Sequence, residues 1–120
     1  MKYHKTTKKE FNEFKKELSK WYSRLRLNRW EVIAVHDAID GPYCACVDAS
    51  PDSMSARITF NTHIATSAVY DGWVSDTARH EMFHLMLRML GYISSQRWAT
   101  EREYDEEEER IVLSLERAIS

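Results

Sequence analysis

The residues with the clearest chemical potential are His80, Glu81 and His84, inside the run ARHEMFHLML at positions 78–87. Two histidines four apart stand one above the other on a helix face, so both imidazoles can reach one ion. A glutamate directly after the first histidine lies about 100° further round, where it can touch a water on that ion without ligating it. Zinc lowers the pKa of such a water towards ~7 and polarises a scissile carbonyl; the glutamate takes the proton and passes it to the leaving amine. The spacing is that of a Zn2+-dependent hydrolytic centre, with His80 and His84 as metal ligands and Glu81 as general base. Met82, Phe83, Leu85, Met86, Leu87, Met89 and Leu90 surround the motif with apolar groups. They predict a helix buried almost all round, in which imidazoles and a carboxylate require partners.

A catalytic zinc of this kind takes three protein ligands and keeps one position for water. The acid-rich stretch 101–109 offers Glu101, Glu103, Asp105, Glu106, Glu107, Glu108 and Glu109. Helix phase is the means of choosing among them. With Ile111 at zero and about 100° per residue, Val112, Leu115 and Ile119 centre the apolar face near about 55°. Glu108 falls at about 60°, Glu101 at about 80°, Glu107 at about 320° and Glu109 at about 160°. An acid in the middle of an apolar stripe is costly unless it meets a cation or a donor. Glu108 is therefore the expected third ligand, with Glu101, Glu107 and Glu109, or a residue such as His63 or Asp105, as the alternatives.

Local patterns indicate the elements that must position these groups. Phe11, Phe14, Leu18, Trp21, Tyr22 and Leu25 make one helical stripe and predict a helix over about 7–27. The period then changes. Segments 30–36, 43–48 and 56–61 are β-branched, aromatic or alternating, separated by Asp40-Gly41-Pro42 and Ser50-Pro51-Asp52. They predict a short three-stranded, mainly antiparallel meander with helices on one face. The histidine helix is expected to start at a Ser75 or Asp76 cap and stop at Leu90, before Gly91. Thr100 and Glu103 match a capping box that opens the last helix. The fold class expected is α+β, in one domain over 1–120.

Composition bounds the rest. The 120 residues are 43% hydrophobic and 30% charged, ordinary for a soluble domain. No run approaches the roughly 18 apolar residues of a membrane span, and the start MKYHKTTKKEF lacks the apolar segment of a secretory signal. A cytoplasmic protein is expected. Cys44 and Cys46 are too close for an unstrained bridge and read as small buried thiols. The net charge of -2 conceals a gradient: residues 1–29 carry ten Lys/Arg against three Glu, and residues 101–120 carry eight acids against three Arg. Such a basic helix can meet nucleic acid or an acidic protein partner.

With these residues in hand, the chain resembles the small HExxH zincin metallopeptidases of the minimal glutamate-ligand, gluzincin-like type. Similar groups include phage and mobile-element zincins and the ImmA/IrrE-like and SprT-like domains. HEMFHLML and the later EEERIVLSLERAI are the matching segments. The resemblance implies a minimal zincin fold and hydrolysis of a protein or peptide substrate. It also implies zinc on His80, His84 and Glu108, with Glu81 as base. The chain departs from relatives that carry a third histidine, a Met-turn or a zinc ribbon. In such folds an edge strand beside the active helix holds the substrate, and residues 56–61 are the candidate. Tyr70, His63 and Arg79 are candidate donors to the transition state. The competing reading is a zinc-containing binding or regulatory module without peptidase activity.

Overall fold

The computed structural model describes residues 2–96 and 100–119. Its first helix, α1 (Lys8–Arg24), begins where sequence places it. Thr7 accepts from the Glu10 amide and the Glu10 carboxylate accepts from the Thr7 amide, a closed capping box. Phe14, Leu18 and Trp21 are its buried stripe, continued by Leu25, Leu27 and Trp30 in the turn that follows.

A strand β1 (Tyr3–Lys5) precedes this helix. Then come β2 (Glu31–Asp37), β3 (Ala45–Ser50), β4 (Ser55–Asn61) and β5 (His63–Ala65). The described residues form two small sheets, β1–β5 antiparallel and β2–β4–β3. In the larger sheet β3 runs antiparallel to β4, but β2 runs parallel to it. The expected meander is therefore replaced by a mixed sheet with β4 in the middle. The register stacks Val47, Ile58 and Ala34 in one row and Ala45, Phe60 and His36 in the next. Ala56, Ile58 and Phe60 are all buried, so β4 carries the sheet's contribution to the core. That explains its central place: a strand with three fully covered side chains gains most from neighbours on both edges. Residues 56–61 are consequently no free edge, and their expected role as a substrate-holding strand is corrected. The edge that packs beside the next helix is β3.

Helix α2 (Trp73–Ser95) carries the histidine motif, and α3 (Glu101–Ile119) closes the chain. Phe60 is the junction of the core. Its ring stacks on Phe14 with centroids 4.6 Å apart and on Trp73 at 5.6 Å, tying α1, β4 and the start of α2 together. Covering rings of this size stabilises by about 2–3 kcal/mol each. Three helices with these sheets make the fold mixed α+β. Among the described residues no helix is long and apolar enough to cross a membrane.

Candidate metal centre

The histidine helix starts earlier and ends later than its caps suggest. Gly72, in the left-handed region at φ 90°, is the N-cap, and neither Ser75 nor Asp76 serves. Burial of Trp73 and Val74 draws the helix start back to them. Ser75 instead donates to Glu17 of α1 at 3.2 Å. Gly91 lies inside the helix, which continues one turn further while Tyr92 donates to Asp52 across the β3–β4 turn. That tertiary bond offsets the roughly 1 kcal/mol that a mid-helix glycine costs.

Around the motif, the buried side of α2 is Ala78, Glu81, Met82, Leu85 and Met86. His80 and His84 are exposed, as is Leu87, so the expectation of a helix buried on all sides is corrected. The apolar residues of the motif cover one face, and the histidines stand on the other. Their Nε2 atoms face each other at 3.1 Å, with ring centroids 4.6 Å apart and planes at 85°. Two imidazoles bound to one tetrahedral zinc at about 2.05 Å have nitrogens about 3.3 Å apart. The pair is hydrogen-bonded, one Nε2 donating to the other, at a separation close to that of two ligands on one ion, so that a metal would take the place of the shared proton.

Glu81 is the opposite case: 6% exposed, and its carboxyl has no hydrogen bond or ion pair with any described residue. Burial pushes its pKa up to about 7. It lines a cleft of about 580 Å3 together with His80, Arg79, Tyr70, Tyr43 and Cys44. Cys44 lies just ahead of β3. Burial and the neighbouring Glu81 carboxylate push its thiol pKa up, which keeps it protonated and unreactive. Cys44 and Cys46 are both free and half-buried. Tyr70 donates to Asp76 at 2.8 Å, and Arg79 pairs with the same carboxylate at 3.4 Å. Of the three candidate donors, Tyr70 and Arg79 line this cleft. His63 sits exposed on β5 beside Thr62 and is not among the residues lining it.

The acid expected to complete the set is not brought to the histidines. Among the described residues no three His, Cys, Asp or Glu side chains gather into a metal-holding group. Glu108 is exposed, and the buried acid of α3 is Glu107, 4% exposed. The phase differs because Val112, at 41% exposure, does not belong to the covered face. Glu107, Ile111 and Ser114 are its buried members, with Tyr104, Leu115 and Ala118 half-buried beside them. The side chain of Ile119, used in the expected stripe, lies outside the described residues. The face is rotated by about 65° from the expected one. Glu107 receives a charge-assisted hydrogen bond from Arg29, with Arg110 3.7 Å away. Glu101 and Glu109 are exposed on the outer side of α3. The capping box at its start is present, with the Glu103 amide 3.1 Å from the Thr100 hydroxyl.

Sequence reasoning missed three features here: the pairing of Arg29 with Glu107, the β3 edge beside α2, and Cys44 next to Glu81. One signal was available for the first. Positions 104, 107, 111, 114 and 118 repeat at helical spacing without Val112.

No protein family model, curated protein or solved structure matches this chain.

Proposed function

We propose that this protein is a zinc-dependent metallo-endopeptidase with the layout of a minimal HExxH zincin, in which His80 and His84 hold the metal and Glu81 is the catalytic base. The observation that carries the reading is the pair of imidazole nitrogens 3.1 Å apart, with the largely buried Glu81 sharing a cleft with His80. When bound, zinc supplies a Lewis acid that polarises a carbonyl and acidifies water.

The chain's own residues supply the rest. Glu81, with a pKa near neutrality, can take a proton from water and return it to a leaving amine at the same carboxylate. The free edge of β3 runs beside α2 and can hold an extended peptide by backbone pairing. Tyr70 lines the same cleft with its one hydroxyl proton given to Asp76, and it can serve a reacting oxygen only by releasing that bond. Completing the ligand set from α3 requires that helix to turn, and Glu108 is the first acid to test. A reducing, cytoplasmic setting fits the two free thiols.

The test is metal content and cleavage of an unfolded protein such as reduced casein. Wild-type chain is expected to bind about one zinc and to cleave. Glu81→Gln should keep the metal and lose about 10²–10⁴-fold in rate. Undiminished turnover in that variant removes Glu81 from the mechanism, and unchanged zinc content in His80→Ala removes the pair. Zinc retained by a wild-type protein that cleaves nothing would favour the binding-module reading.

A further inference from the structure

The strongest feature outside the cleft is the outer face of α1. Residues 1–29 hold a net charge of +7 in a chain whose total is -2. Six of the ten cations stand exposed on one helix, Lys8, Lys9, Lys15, Lys16, Lys20 and Arg24, and with its three glutamates α1 carries a net charge of +3. The acids of α1 offset this face only in part. Glu10 is engaged by His4 and the Thr7 cap, and Glu17 is half-buried with Ser75 and Lys20. Only Glu13 among them is exposed. Lys8, Lys9 and Lys16 make no ion pair with any described residue. Between the cations stand Asn12, Ser19 and Ser23, small groups that can donate to phosphate oxygens and allow close approach.

We infer that this face of α1 docks the sugar–phosphate backbone of duplex DNA, without reading its sequence. The choice of partner follows from what the face lacks. A protein interface needs an apolar centre, and the exposed large apolar residues, such as Tyr3, Ile33, Leu87 and Val112, all lie off α1. Phosphate contacts need only charge and donors, and lysine serves them as a point charge. A 17-residue helix is about 25 Å long, the span of roughly seven phosphates along one strand. No residue of α1 lines the cleft that holds His80 and Glu81, so both surfaces can be occupied at once. The inference stands apart from the peptidase reading, because it uses none of the metal-centre residues.

The test is fluorescence anisotropy of a labelled 20-base-pair duplex of mixed sequence, titrated with chelated, full-length protein from 50 to 200 mM salt. With about four phosphates neutralised, affinity should fall with a log–log slope of about -3.6, roughly 150-fold over that range. The variant Lys9→Glu/Lys16→Glu/Lys20→Glu should bind at least about 30-fold more weakly at 50 mM salt. The triple Lys→Gln variant should show the same direction, which guards against a fold lost to charge reversal, checked by circular dichroism. Absence of binding at 50 mM salt, or wild-type affinity in both folded variants, overturns the inference. So does equal competition by polyglutamate at matched charge, which would assign the face to an acidic protein. Self-association of the wild type that the lysine variants abolish would assign it to a second copy, and overturns the inference as well.

Discussion

Glu81 offers the sharpest test of the physical reasoning, because its environment sets a measurable link between pH and stability. Its carboxyl has an ordinary value of 4.5 and is pushed up to about 7 in the fold, by burial. A raised folded pKa means that the native state favours the protonated acid. Stability from that acid is fully present below about pH 4.5 and is lost as pH rises through about 7. At about 1.36 kcal/mol per unit, the loss between pH 5 and pH 8 would be roughly 2.5 kcal/mol in a dry site. The carboxyl borders an open cleft, and screening by water brings the figure to about 1.5–2 kcal/mol. Glu81→Gln cannot ionise and escapes this loss. In chelated protein the variant should therefore gain about 1.5–2 kcal/mol on the wild type between pH 5 and pH 8. The gain corresponds to about 6–8 °C in Tm for a domain of this size. Urea titrations of both proteins at half-unit pH intervals measure it. His80 and His84 are present in both and cancel to first order. A difference that stays flat with pH would refute the claim that Glu81 is buried without a partner. Zinc added to the wild type should shrink the gap, since a cation at the histidines favours the ionised carboxylate.

Other outcomes follow from single side chains. Arg29→Met strands the Glu107 carboxylate in the interface of α3 and should cost about 3 kcal/mol by urea denaturation, with part recovered by adding Glu107→Met. Phe60→Ala removes the ring that joins α1, β4 and α2, and should cost about 4 kcal/mol. His84→Ala should abolish zinc binding measured by elemental analysis. Glu108→Ala should lower zinc content if α3 turns to supply its ligand, and full occupancy there would leave the histidine pair to bind without it.

Much of the secondary structure was legible because it rests on contacts within a turn or two. The stripe from Phe11 to Leu25 and the capping boxes at Thr7 and Thr100 are local, and all three are present. The helix carrying the histidines was also legible, but its ends were not. Trp73 is buried by packing, and Tyr92 bonds to Asp52, so distant contacts decide where α2 begins and stops. The strands β1 and β5 escaped notice because three residues carry too little period, and they exist by pairing with each other.

By itself, then, the amino-acid sequence determined the helix faces, the caps and the four-residue spacing that sets two imidazoles on one side of α2. Those follow from backbone geometry, which acts between near neighbours. Tertiary structure decided the rest. It placed β4 between β2 and β3, leaving β3 as the edge beside the histidines. It turned α3 so that Arg29, 78 positions away, takes Glu107 and leaves Glu108 outside. It also buried most of Glu81 at the edge of the cleft while its neighbours His80 and His84 stayed exposed. Desolvation and ion pairing depend on which distant segments close over a side chain, and helical spacing carries no record of that.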